Sequence, residues 1–253
     1  MICYTYDGSF EGLLTAIYEA YYRHERPEKI LKADCLQHNL FAKYVYIDTD
    51  ERKAQKVYDA VKQKISPVAA KNILYAFLSE DNEAGTYIYR YLKLGWKIGK
   101  QVDSAVADSR VFQIHTLSSK VRREAGRMLG LVRFRLLKNG IYYASIEPDY
   151  NILGIIALHF KRRMPDQDWV IHDVKRSTAV FHHNSEYIIV PFDFNGPLPL
   201  GQEERDYQSL WRQYFMDIAI KTRINPKLQR QHMPLRYWKH LVEIPGTTKQ
   251  NSP

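Results

Sequence analysis

Cysteine is nearly absent. Only Cys3 and Cys35 occur in 253 residues, which excludes a disulfide framework and an all-cysteine zinc site. No run of about 18 apolar residues occurs, so no helical membrane span is expected. Met1 to Phe10 lacks the basic-then-apolar pattern of a signal peptide, because Asp7 and Gly8 interrupt it. A reducing cytoplasm is therefore the expected compartment. The signatures of several large enzyme classes are also missing: there is no Gly-x-x-x-x-Gly-Lys-Ser/Thr, Gly-x-Gly-x-x-Gly, Gly-x-Ser-x-Gly or His-Glu-x-x-His. No cofactor pocket is expected. Fixed-period repeats and low-complexity segments are absent as well.

What is present is an ordinary globular composition, 45% hydrophobic and 26% charged, long enough for one large domain or two modest ones. The formal charge is +9, and it is unevenly placed. Residues 1–117 hold 16 Lys/Arg against 15 Asp/Glu, whereas residues 118–253 hold 21 against 13. A positive half of this kind raises the local concentration of polyanions, nucleic acid foremost. Anionic lipid would answer the same field.

Periodicity divides the chain in a similar place. Ile2 to Tyr6 reads as a strand closed by the Asp7-Gly8 turn, and Ser9 caps a helix through Leu13, Leu14, Ile17, Tyr18 and Tyr21. A second strand is expected at Tyr44 to Ile47, then helices from Asp50, from Ser66-Pro67 and from Gly85 to about Gly99. Ser104 to Gly130 reads as one long helix or two. After Gly130 the texture turns β-rich, with a hairpin about Asn139-Gly140, a helix capped by Asn151, and strands at 169–174 and 178–182. Helix resumes from Glu203, Asn225-Pro226 breaks the chain, and a short helix follows from Pro234. The expected fold is α+β, with a helix-rich N-terminal half and a hairpin–helix–hairpin unit in the C-terminal half followed by terminal helices. The corresponding regions are residues 1–117, 118–245 and a tail at 246–253, with a single composite body as the alternative.

Basic clusters are the strongest chemical signal. Lys120, Arg123 and Arg127 recur at helical spacing beside Arg122, and Lys175-Arg176 sits at a bend between strands. Lys227 and Arg230 belong to a stretch from Lys221 to Lys239 with six Lys/Arg and no acidic residue. Tyr237 and Trp238 in that stretch could stack on unpaired bases. The plainer reading is a solvated surface with an aromatic anchor. Tyr18, Tyr21, Tyr87, Tyr91 and Tyr214 fall on apolar helical faces and are expected in the core, and Trp211 and Trp238 are expected to anchor the last helices.

For catalysis the candidates are Glu147, His172 and Asp173, which could serve as metal ligands or as general acid and base if a hairpin gathers them, with His182 or His183 alongside. An exposed polar strand face is the competing reading. Cys35-Leu-Gln-His38 has ligand spacing but no second pair, so no metal site is assigned.

Four blocks resemble a bacterial family labelled "probable DNA metabolism protein". They are Tyr6-Asp7-Gly8-Ser9-Phe10-Glu11-Gly12-Leu13-Leu14, Val132 to Pro148, His159 to Arg176, and Tyr207 to Glu243. The resemblance implies a genomic neighbour, a radical S-adenosylmethionine protein of DNA modification or repair. It also implies a related segment fused to uracil-DNA glycosylase-like domains. It supplies no catalytic residue. The chain lacks Cys-x-x-x-Cys-x-x-Cys, so the implied role is that of a radical enzyme's partner.

The expectation is a DNA-binding accessory protein that presents DNA to such an enzyme. Phosphates would meet Arg122, Arg123, Arg127, Lys175, Arg176, Lys227 and Arg230, with Tyr237 or Trp238 on a displaced base. The alternatives are a metal-dependent hydrolase or nuclease using Glu147, His172 and Asp173, and a protein-contact scaffold without DNA affinity.

Overall fold

The computed structural model describes residues 2–35, 41–194, 196–220, 222 and 225–244. His38 of the Cys35–His38 pair, Lys221, Arg223 and the tail at 246–253 lie outside them. The chain is 53% helical and 17% strand, with helices in the N-terminal half and strands plus helices in the C-terminal half, as an α+β reading requires. It divides into two compact units, residues 1–122 and 123–253.

In the N-terminal unit, β1 (Ile2–Tyr6) is the central strand of a sheet ordered β2-β1-β3, and β2 (Lys29–Lys32) and β3 (Lys43–Tyr46) both run parallel to it. The parallel β1–β2 pair needs a crossover, supplied by α1 (Phe10–Tyr22). Ser9 Oγ accepts the Gly12 N–H at 2.8 Å, while Asp7 receives Ser9 and the Thr49 hydroxyl. The next two helices, α2 (Glu51–Lys64) and α3 (Pro67–Leu78), are capped by Asp50 and Ser66, and α4 (Ala84–Ile98) follows. Tyr4, Leu13, Ile17, Ile30, Ile73, Ile88 and Leu92 form the centre of the core. Each such side chain contributes about 1.5–3 kcal/mol of apolar burial.

Two expectations need correction here. The sequence pattern misses β2, because Lys-Ile-Leu-Lys buries only Ile30 and carries no alternation to read. Tyr91 is buried as expected, but Tyr21 is 63% exposed. The buried arc of α1 runs through Leu13, Ala16, Ile17 and Ala20, and Tyr21, one residue past Ala20, falls at its margin.

The C-terminal unit carries a five-stranded sheet ordered β4-β5-β6-β7-β8. Its strands are β4 (Arg135–Leu136), β5 (Tyr142–Ile146), β6 (Trp169–Asp173), β7 (Thr178–His183) and β8 (Glu186–Pro191). β4–β5 and β6–β7 are antiparallel hairpins, while β5 and β6 are parallel because α6 (Leu153–Arg163) crosses between them. On one face Trp169 meets Phe160 of α6. On the other, Tyr143, Val170 and Ala179 pack with Phe181 and Phe192. The long helix α5 (Ser109–Leu131) contains the division between the units.

Asn151 does not cap α6; its N-cap is Ile152, and Glu124 binds the preceding N–H groups of Asp149 and Tyr150. After α7 (Glu204–Asp217), Asn225-Pro226 starts a helix instead of ending one. Asn225 Oδ1 accepts the Leu228 N–H at 3.0 Å, and Pro226 takes the first turn of α8 (Pro226–His232), where its missing N–H costs nothing. A 3-10 turn, Leu235–His240, follows. Tyr214, expected in the core, is 54% exposed on α7.

Gly85 provides a test of the N-terminal packing. A Cβ there would lie 2.6 Å from the Ile30 carbonyl oxygen and 3.2 Å from Leu13 Cδ1. The carbonyl is backbone of a paired strand and cannot step aside. Gly85→Ala is expected to destabilise the protein by about 1–3 kcal/mol, despite the better helix propensity of alanine. Urea unfolding checks this, and a stabilised variant would contradict the packing.

Candidate functional site

β5 and β6 are parallel and end side by side, with Ile146 opposite Asp173. The carboxyl ends of parallel strands joined by a crossover helix are where α/β sheets commonly place ligands. Here the segment Glu147–Tyr150 leaves β5 and the bend Lys175–Ser177 leaves β6. Much of the sequence-predicted chemistry is gathered at this edge, together with residues from the 3-10 turn.

Most of the charge there is internally neutralised. Arg176 pairs with Asp173 at 2.8 Å and donates to the carbonyls of Pro148 and Asp149. Asp173 is fully buried, and burial pushes its carboxyl pKa up against the opposing pull of Arg176. Lys175 Nζ donates to the Asp149 carbonyl at 3.1 Å. Arg236 meets Asp149 at 2.6 Å, and Lys239 meets Glu147 at 2.6 Å.

Beneath them lies Glu124 of α5, 4% exposed. Its carboxylate accepts the N–H groups of Asp149 and Tyr150 at 2.9 and 2.8 Å, the Tyr237 hydroxyl, and Arg236 at 3.4 Å. Tyr237 is therefore no stacking platform: its ring is 2% exposed, and burial followed by the Glu124 hydrogen bond raises its phenol pKa. Trp238 is half-buried and donates from Nε1 to the Met233 carbonyl at 2.8 Å. Trp211 is 39% exposed, donates to Glu243 and lies under the Arg133 guanidinium.

The three catalytic candidates have separate engagements. Glu147 binds Lys239, Asp173 binds Arg176, and His172 pairs through Nδ1 with the Tyr143 hydroxyl at 2.7 Å. His172 and Asp173 are consecutive on a strand and so point to opposite faces. His182 stacks on Trp169, and His183 pairs with Asp168. Among the described residues, no group of three or more His, Cys, Asp or Glu side chains is placed to hold a metal ion.

An arrangement the sequence pattern does not reveal joins Ser145, His240 and Glu147. Ser145 Oγ lies 2.9 Å from His240 Nδ1, and Glu147 Oε1 lies 3.5 Å from Nε2. Ser145 lies on β5 and Glu147 just past its end, a Ser-x-Glu spacing that is legible locally; the histidine 95 residues away is not. The order is that of nucleophile, base and orienting carboxylate, yet the base is weak. Burial, joined by Lys239 and Arg135 and opposed by Glu147, pushes the His240 pKa down to about 4. A general base works best with a pKa near the operating pH. The trio ties the 3-10 turn to β5.

The remaining predicted cations stand elsewhere. Arg122 belongs to the N-terminal unit and reaches Ser119 Oγ at 3.3 Å. Arg123 and Arg127 are exposed on α5, and Lys227 and Arg230 on α8. Among the described residues, Arg127, Lys227 and Arg230 have no carboxylate partner.

The His240 environment predicts an acid-sensitive fold. A histidine whose folded pKa lies below its unfolded value takes up its proton in the unfolded chain first. Stability is thus complete above about pH 6.5 and falls toward pH 4. The loss is on the order of 3 kcal/mol, since each pH unit separating the folded and unfolded pKa values is worth about 1.4 kcal/mol. His240→Gln should flatten the pH dependence of the urea midpoint between these limits. An equally steep dependence in the variant would show that His240 is not its source.

No curated protein matches the chain. A family model does match, over residues 82–243, a span that takes in α5, the five-stranded sheet, Glu124 and the 3-10 turn that binds it. The chain belongs to that family, described as a domain of unknown function, DUF4130.

Proposed function

We propose that this protein binds nucleic acid through cations of its C-terminal unit that no carboxylate neutralises, as an accessory in DNA modification or repair. One observation carries the reading: charge in this unit is partitioned. Arg176, Arg236 and Lys239 are used up in ion pairs inside the unit, whereas Arg127, Lys227 and Arg230 are exposed and unpaired among the described residues. Exposed cations release counterions on meeting phosphate, and paired ones do so far less. The phosphate-binding set therefore centres on Arg127, Lys227 and Arg230, with Lys175 adding to it. A role in presenting DNA to a radical S-adenosylmethionine enzyme rests on the sequence blocks alone.

A second reading, a scaffold for protein contacts, is favoured by α7. Leu210, Tyr214 and Met216 on it are 54–64% exposed, more apolar surface than a solvated helix needs. The metal-dependent hydrolase reading has no such support, since Glu147, His172 and Asp173 each serve a different partner.

Binding of labelled duplex DNA measured across about 50 to 200 mM salt tests the first reading. The double variant Lys227→Ala/Arg230→Ala should reduce the salt slope by about 0.9 for each phosphate no longer neutralised, close to two in all. An unchanged slope would remove α8 from the interface. An absence of binding at the lowest salt would leave the scaffold.

A further inference from the structure

The N-terminal unit, with 18 Lys/Arg against 15 Asp/Glu in residues 1–122, holds a cleft of about 270 Å³ that the C-terminal charge does not explain. Tyr18, Tyr21 and Tyr22 of α1 and Trp96 of α4 supply its rings, and Lys56 and Lys64 of α2 its cations. Ile17 and Val57 form an apolar floor. Tyr18 stacks on Tyr22 with centroids 4.2 Å apart, and Tyr21 lies 5.9 Å from Trp96.

Three features bear on the occupant. Tyr21 and Tyr22 are 63% and 61% exposed, so much of their ring surface stays in water although they adjoin the core. The cations fall at positions 56 and 64, two turns and about 12 Å apart along one helix face. Both are exposed and, among the described residues, neither has an acidic partner; no carboxylate is among the residues lining the cleft. An aromatic cage would otherwise suit an organic cation, but two unpaired ammonium groups repel one. Rings for a planar face beside cations for an anion describe an unpaired nucleobase with its phosphates.

We propose that this cleft is a single-strand site, in which Tyr21, Tyr22 and Trp96 stack an unpaired base while Lys56 and Lys64 hold neighbouring phosphates. The cleft is just below the usual pocket range of about 300–1,000 Å³, enough for one or two bases. All of its lining residues belong to the N-terminal unit.

The test titrates the full chain with a ten-nucleotide oligothymidine, with a ten-base-pair duplex and with thymidine monophosphate, following tryptophan fluorescence. Oligothymidine should quench the emission, and Trp96→Phe should abolish the quench. Tyr21→Ala/Tyr22→Ala should weaken oligothymidine binding about ten- to hundredfold, the loss of one stacked base. Because both tyrosines are mostly exposed, the variant should keep its fold, which circular dichroism verifies. Lys56→Ala/Lys64→Ala should lower the single-strand salt slope by about 0.7 for each phosphate released. The same losses should appear in the Lys227→Ala/Arg230→Ala background, which separates this site from the duplex surface. Unchanged binding in the tyrosine variant would overturn the proposal. In that same background, equal affinity for duplex, which offers no free base, would also overturn it, as would equal affinity for the monophosphate, which would mark a nucleotide pocket.

Discussion

The Glu124 carboxylate is the constraint on which the C-terminal unit depends. A charge taken almost wholly out of water costs several kcal/mol unless donors surround it. Glu124 meets two backbone N–H groups, a phenol and a guanidinium. Those donors come from the segment after β5 and from the last 3-10 turn, elements 25 and 113 residues distant. One side chain of α5 thereby sets where β5 ends and where the 3-10 turn docks. The crossover helix α6 begins just beyond that segment, so the parallel β5–β6 pair rests on the same anchor.

Partition of charge follows from this arrangement. Once Glu124 recruits Arg236, Asp149 lies within reach of the same guanidinium, and Glu147 takes Lys239. Arg176 closes the other side by holding Asp173 and two carbonyls. An edge that resembles a ligand site in its residue types is thus a mortise of ion pairs. Arg127 on α5 and Lys227 and Arg230 on α8 are exposed and take no part in it. Paired cations lend rigidity and unpaired ones lend field, and a single net charge conceals the difference.

The cleft proposed as a single-strand site in the N-terminal unit has a different origin. The helices there leave rings and lysines uncovered where the aliphatic face of α1 ends. As proposed, the rings would take a flat partner and the lysines an anion, so such a cleft would select by shape where a charged surface selects only by field. Base stacking tolerates any sequence because every base has a π-face.

Local signals in the chain were legible. Ser9, Asp50 and Ser66 cap their helices because a cap acts over three residues, and the hairpin–helix–hairpin order follows from short alternating runs. β2 left no signal because a four-residue strand with one buried side chain has no period. Asn225-Pro226 was ambiguous, since the same pair can close one segment or open a helix. Of the site residues, the sequence by itself determined the types and the total charge. It also determined the basic bias of the second half, because these are sums over composition and near neighbours. Which cations are free, that Tyr237 is interior, that Tyr21 is exposed, and that Ser145 meets His240 were decided only by the tertiary structure. The reason is distance along the chain: Lys239 and Glu147 are 92 residues apart, and a charge is neutralised by whatever carboxylate the fold brings beside it.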